Sequence, residues 1–287
     1  MTEKPIATGR TAEIFAWEPG KIVKVYRPGF PADDARYEAD IAVKVQESGV
    51  ACPHFFGQVE VDGRPGLVYE RIEGLTMAEK VIKQPWRIPA FARQMAHLHL
   101  EMHKPVISAS LPSQRGKYAW RIEHNDLLPA YLRQSLFEQL ALLPNDQRLC
   151  HGDFHPGNIM LDGKRSLTID WMDVSAGHPL GDVARTSVLL MGIVATTKNP
   201  FFKWIARWFH RIYLREYFAP LSLRTSRPAA GLSPHFPRNS AENGGSEGGR
   251  DIYRAFIPIV AAVRLTEGIT ELQDWLLALA SRPVVRN

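Results

Sequence analysis

The stretch LCHGDFHPGNIMLDGKRSLTID, from Leu149 to Asp170, constrains this chain more than any other, because it spaces His151, Asp153, Asn158 and Asp170 around what reads as a tight loop and a following hairpin. An aspartate opening such a loop can accept a proton from a hydroxyl. An asparagine five residues on can ligate magnesium, and an aspartate closing the next strand can hold the same ion against nucleotide phosphates. Phosphoryl transfer asks little else of a protein, since positioning and charge neutralisation do most of the work. Two other readings of the same letters stand beside it. Asp, Asn, Gly and Pro are ordinary turn formers, so HPGN could be a plain turn. Alternatively, His151, Asp153 and His155 alternating along a strand could ligate zinc in a hydrolase, with Asp173 and His178 nearby.

The motif HGDFHPGN followed by IDW resembles the aminoglycoside phosphotransferase family, the small-molecule branch of the protein-kinase-like fold. Protein kinases write His-Arg-Asp and Asp-Phe-Gly at these places. Gly152 in place of the Arg, and Trp171 and Met172 in place of Phe-Gly, both point to the small-molecule branch. The resemblance implies that Asp153 is the catalytic base and that Asn158 and Asp170 hold Mg2+. It implies an α+β fold of two lobes: a small, β-rich, nucleotide-binding N-terminal lobe over residues 1–73, and a larger, mostly helical catalytic and acceptor-binding C-terminal lobe over 74–287. The donor it implies is ATP, or GTP, and the acceptor a hydroxyl on a small molecule. Family members phosphorylate choline, homoserine, fructosamine and macrolides as well as aminoglycosides.

Upstream, GKIVKVYR alternates Ile22, Lys24 and Tyr26 against Val23 and Val25, the period of a strand. Residues 31–48 read as a helix with Glu38, Ile41 and Val45 on one face, so Glu38 faces inward. A buried carboxylate needs a cationic partner, and Lys24 would supply it while its ammonium reaches the nucleotide phosphates. The competing reading makes Lys24 a solvated strand lysine and Glu38 one of several acids on a charged helix. ATGRTAEIFAW places one glycine between two short strand-like runs, so phosphate contacts there would come from backbone amides around Gly9, Arg10 and Thr11. By resemblance, the adenine edge meets the main chain near Glu70 to Ile72, where a strand runs into a polar turn.

Helical spacing recurs at 89–103 (Phe91, Met95, Leu98, Met102) and 127–143 (Leu132, Leu136, Leu140). His97, His99 and His103 on the first of these are read as packed or solvated rather than metal-binding. GHPLGDVARTSVLLM opens another helix; Asp182 sits where a carboxylate can meet early amides, and the resemblance implies that it holds the catalytic loop. Asp173 is a candidate supporting the magnesium site. Lys203, Arg207, Arg211 and Arg215 then recur every four residues, a basic stripe opposite Ile205, Trp208, Phe209 and Ile212. That stripe reads as a solvated face, or as a contact for an acidic substrate, RNA or membrane, in keeping with a pI near 9.2. Glu267, Glu271 and Asp274 on the last helix could instead give the acceptor pocket a negative sign. Residues 219–250, rich in Pro, Ser, Gly and Asn, read as a peripheral insertion.

With 45% hydrophobic residues, a chain of 287 can bury a substantial core. No apolar run approaches the ~20 residues that cross a bilayer, no signal peptide is evident, and two cysteines fit a reducing compartment. The expectation is a cytoplasmic enzyme without membrane insertion or a nucleic-acid partner. A nucleotide-binding regulatory module without turnover is the alternative from another class.

Overall fold

The computed structural model of this chain describes residues 4–9, 11–103, 111–163, 165–219 and 247–282. Arg10 and positions 220–246 of the expected insertion lie outside them. The described chain is α+β and divides into two compact units, one of Met1–Met77 with Gly157–Met172, the other of Ala78–Pro156 with Asp173–Asn287.

In the first unit, β1 (Ala7–Thr8), β2 (Ala12–Ala16), β3 (Lys21–Tyr26), β4 (Phe55–Val61) and β5 (Arg64–Glu70) form an antiparallel sheet in the order β1-β2-β3-β5-β4. The alternation read in GKIVKVYR is the pleat of β3. Val23 and Val25 pack with Phe15, Val61 and Val68 on one side, while Tyr26 joins Ala12, Leu67 and Phe55 against Ala35 and Ala39 of helix α1 (Ala32–Glu47). That helix turns Ala35, Glu38, Ala39, Ile41 and Val45 inward, as the sequence spacing predicts. Asp33 and Asp34 in its first turn and Lys44 in its last suit its dipole.

A second, three-stranded sheet of this unit pairs β6 (Leu75–Thr76) with β8 (Ile159–Asp162), and β8 with β9 (Arg165–Thr168), all antiparallel. It is tied to the segment after α1 by the Thr168 amide donating to the Ala51 carbonyl at 2.8 Å, and to β5 by an Arg165–Glu70 ion pair at 2.7 Å.

The second unit is built of α2 (Met77–Lys83, its first residue in the other unit), α3 (Ile88–Met102), α4 (Gln114–Glu123), α5 (Ala130–Leu142), α6 (Pro179–Thr196), α7 (Pro200–Tyr217), α8 (Glu247–Leu265) and α9 (Gln273–Ala280), with the short antiparallel pair β7 (Arg148–Cys150) and β10 (Ser175–Gly177). Helix α6 is its centre. Twelve of its residues are buried, from Leu180 to Val194, because α7 and α8 both pack against it. Pro179 fills its first turn, where the missing N–H costs nothing. The cap is His178, whose Nδ1 accepts from the Leu180 amide at 3.2 Å. With the cap supplied by His178, the carboxylate of Asp182, in the first turn of α6, is turned to the loop before it.

Among the described residues, no helix is long and apolar enough to cross a membrane.

Candidate active site

In the first unit, β3 and α1 bring Lys24 and Glu38 together. The Lys24 ammonium donates to both carboxylate oxygens of Glu38, at 2.7 and 2.9 Å. The Tyr26 hydroxyl bonds to the same carboxylate. Burial, and after it the neighbouring Glu38 charge, pushes the Tyr26 phenol far up, so it stays a donor at any working pH. Tyr26 was not among the residues singled out from sequence. Its position, two along the strand from Lys24, puts it on the same face, and that is the signal that could have found it.

Asn158 and Asp170 belong to the same unit, at the two chain ends of the β8–β9 hairpin. The Ile169 amide donates to the Asn158 carbonyl at 2.9 Å, continuing the ladder in which Ile159 faces Thr168. Asp170 has a φ of +63°, a conformation uncommon for a residue with a Cβ. Such backbone persists where surrounding structure fixes it, and it gathers at functional positions. An amide oxygen and a carboxylate make a hard, all-oxygen donor set, which suits Mg2+ and not zinc.

The Gly9 amide is spent inside its own turn, donating to the Ala12 carbonyl at 2.8 Å, and the Arg27 amide donates to the Thr11 carbonyl at 3.0 Å. At the other end of the sheet, Glu70 closes β5 with its amide on the His54 carbonyl at 2.8 Å, and Ile72 follows in irregular chain.

The second unit holds Asp153. After β7 the chain is neither strand nor helix from His151 to His155, so the alternation on which the zinc reading depended does not exist. The His151 Nδ1 instead accepts from the Asp153 amide at 3.1 Å. Gly152 has a φ of +79°, and a Cβ there would meet the Asp173 carbonyl at 2.5 Å. This contact explains glycine between His151 and Asp153. Burial alone would raise the Asp153 carboxyl, but the His155 ring, with Nε2 3.5 Å away, and the charges of Arg185 and His151 outweigh it. The carboxyl falls to about 2 and is ionised at neutral pH.

Arg185 is the other residue missed. It donates from Nε to the Gly152 carbonyl at 2.9 Å, lies 3.7 Å from the Asp153 carboxylate and pairs with Glu267. It follows Asp182 by one helical step, on the face already turned to the loop. Glu267 lies in the turn after α8, between Arg185 and, at 3.6 Å, Arg264; of the three acids expected on the last helix, only Asp274 is in α9. Asp173 pairs with Arg121 at 2.6 Å.

Asp182 anchors the loop. Its carboxylate accepts the backbone amides of His151 at 2.6 Å and Gly152 at 2.8 Å, with His99 Nε2 at 3.1 Å and His103 Nε2 at 3.4 Å. The other ring nitrogens meet the hydroxyls of Tyr213 and Tyr217, at 2.7 and 2.9 Å. An ionised carboxylate only accepts, so Nε2 of each ring carries the proton and Nδ1 takes the tyrosine O–H. His99, His103 and Asp182 are also the three ligand-type residues that lie close together among the described ones, and each is already bonded in this lattice. Burial would raise Asp182, yet the hydrogen bonds it accepts from His103 and His99 hold it well below the usual carboxylate range.

Burial, aided by His103, drives His99 down to about 4, and burial likewise takes His178 and His210 to about 4. Unfolded, each would take a proton near pH 6.5. The folded state therefore loses stability as pH falls from about 6.5 to about 4, His99 alone accounting for on the order of 3 kcal/mol. Asp182, depressed in the fold, adds a loss only below its unfolded value near 3.9. The urea midpoint is expected to fall steadily across pH 6.5–4; a flat midpoint down to pH 4.5 contradicts these assignments.

Comparison with known proteins assigns the chain to a family. Residues 2–220 match the phosphotransferase enzyme family. No curated protein matches the chain. Among solved structures, it is similar to aminoglycoside phosphotransferase APH(4)-Ia, with a TM-score of 0.58 at 14% identity over 95% of this chain and 89% of that one. A thermostable mutant of that protein has been solved in a ternary complex with ADP and hygromycin B. Aminoglycoside-3'-phosphotransferase of type VIII gives a TM-score of 0.56 at 18% identity over 91% and 92% of the two chains. A choline/ethanolamine kinase family protein from Mesorhizobium loti gives 0.53 at 16%, over 98% and 88%. At such identities the structural likeness establishes the protein-kinase-like fold. The family match covers most of the chain, which belongs to the phosphotransferase enzyme family and is a phosphotransferase with an alcohol group as acceptor.

Proposed function

We propose that this enzyme moves the γ-phosphoryl group of ATP, or of GTP, to a hydroxyl of an aminoglycoside-like compound, an amino alcohol or a sugar, in the cytoplasm and with Mg2+. The observation that carries the reading is the Asp153 loop: its two preceding backbone amides are clamped by one buried carboxylate, and its own carboxylate is kept ionised at about 2. In this scheme Asp153 orients the acceptor hydroxyl and takes its proton. A group so weakly basic removes the proton late, which suits a loose transition state in which the nucleophile needs little activation. Lys24, fixed by Glu38 and Tyr26, presents its ammonium to the nucleotide phosphates. Backbone around Gly9 and Thr11 covers them, with Gly9 shaping the turn; Arg10, the third residue of that expectation, lies outside the described residues. Main chain near Glu70 and Ile72 receives the adenine edge. Asn158 and Asp170 hold Mg2+, which when bound neutralises phosphate charge. In this scheme residues 1–73 serve the nucleotide and 74–287 catalysis and the acceptor, except that Asn158 and Asp170 are carried by the first unit, in its segment Gly157–Met172.

The neighbours guide the choice of acceptors, since their complexes contain hygromycin B and streptomycin and one belongs to the choline/ethanolamine kinase family. The test is Mg-ATP consumption across aminoglycosides, macrolides, amino alcohols, sugars and nucleosides. One class is expected to drive consumption that EDTA abolishes. Nucleotide binding without consumption on any acceptor would favour a nucleotide-binding module instead.

A further inference from the structure

We propose that the exposed basic and aromatic face of α7 docks on an anionic membrane surface. Between Arg185 and Glu216 the sequence has no acidic residue, yet it carries Lys198, Lys203, Arg207, Arg211 and Arg215. All but the half-buried Lys203 are exposed. The basic stripe shares its helix with large apolar groups turned to water: Phe201 is 47% exposed, Phe202 37% and Trp204 51%. The rings of Phe201, Trp204 and Trp208 form a ladder along one flank, with centroid separations of 6.3 and 4.8 Å. Ile205, Phe209 and Tyr213, on the opposite side, are the residues α7 buries in its own unit.

A second exposed group lies at the same end. His99 meets Tyr213 and His103 meets Tyr217, both pairs 114 residues apart, so α3 and α7 run parallel in one register. Equal rise along both helices sets the start of α3 level with the start of α7. Just before α3 comes Trp86, 72% exposed, beside Arg87, and α2 offers exposed Ile82 and Lys83. Aromatic and basic residues are thus collected at one end of this helix pair.

The exposed face of α7, aromatic and basic and without an acid, matches a bilayer boundary, where rings enter the headgroup region and cations meet anionic lipid. On α2, Glu79 is exposed one turn before Ile82 and Lys83, so that helix is the lesser part of the surface. Since no described helix can span a bilayer, the contact is peripheral. Single-stranded RNA is the weaker fit. Bases stack on open aromatic faces, whereas Trp204 and Trp208 pack against each other.

The test is co-sedimentation with vesicles of phosphatidylcholine alone and of phosphatidylcholine with an equal share of phosphatidylglycerol. The protein is expected to pellet with the anionic vesicles and not with the neutral ones, and less so as salt rises. Lys203→Gln/Arg207→Gln/Arg211→Gln is expected to weaken that binding by on the order of a hundredfold. Phe201→Ser/Trp204→Ser is expected to weaken it at every salt concentration. Both variants should keep the parent's urea midpoint, which separates lost docking from lost folding. Equal binding to both vesicle types, anionic binding unchanged in both variants, or RNA-oligonucleotide binding without vesicle binding would each overturn the proposal.

Discussion

Replacing Asp153 with asparagine is expected to lower kcat by about a hundred- to ten-thousand-fold while leaving nucleotide affinity unchanged. Asparagine keeps the size of the side chain and one acceptor oxygen. It loses the charge and the capacity to take a proton. Arg185 would keep its bonds to Glu267 and to the Gly152 carbonyl, so the loop should hold its shape. The two halves of Asp153's role can then be separated. If holding the hydroxyl dominates, Asp153→Asn retains more activity than Asp153→Ala; if proton acceptance dominates, the two are equally impaired. Steady-state kinetics with the best acceptor, set beside calorimetric nucleotide binding, reads both quantities. Turnover within threefold of the parent would remove Asp153 from the reaction.

Asp182→Ala is expected to cost about 4 kcal/mol of stability, the size associated with breaking a buried, hydrogen-bonded charge network. The carboxylate is fully buried and satisfies four donors: two backbone amides and two imidazole N–H groups. Each buried donor left unpaired costs about 1–3 kcal/mol, and the losses are not additive. Asp182→Asn should be nearly as damaging. Its NH2 group brings another donor to a place where every neighbour already donates, so the loss reflects acceptor chemistry and not volume. Because a domain holds only about 5–15 kcal/mol in total, either variant forfeits a large share. Urea unfolding at pH 7 measures it, and a loss under about 1 kcal/mol in both variants would refute the anchoring role.

Local pattern made much of this legible. Period two in GKIVKVYR and offsets of three and seven in α1 were enough to face Glu38 toward Lys24, because strand pleat and helix turn are short-range geometry. The spacing of His151, Asp153, Asn158 and Asp170 was enough to place a loop and a hairpin. The parts left unread depend on long-range register. His99 meets Tyr213 only because α3 and α7 lie parallel, and Glu267 meets Arg185 across a separation of 82 residues. Neither pairing leaves a trace in local periodicity. The partners of Glu267, one of three acids that could have given the acceptor pocket a negative sign, are likewise tertiary: Arg185 and Arg264 flank it.

The first unit is discontinuous in sequence, and this bears on how the protein emerges from the ribosome. Its five-stranded sheet and α1 are complete once Glu70 has left the exit tunnel, but β6 must wait for β8, and the Ala51 carbonyl for the Thr168 amide. Those partners are encoded beyond nearly eighty residues of the other unit. At about 5–20 residues per second the wait is roughly 5–20 s, far longer than a hairpin needs to close. The nascent sheet stands through that interval with one flank unfinished, so residues 78–156 must be threaded out before the first unit can close.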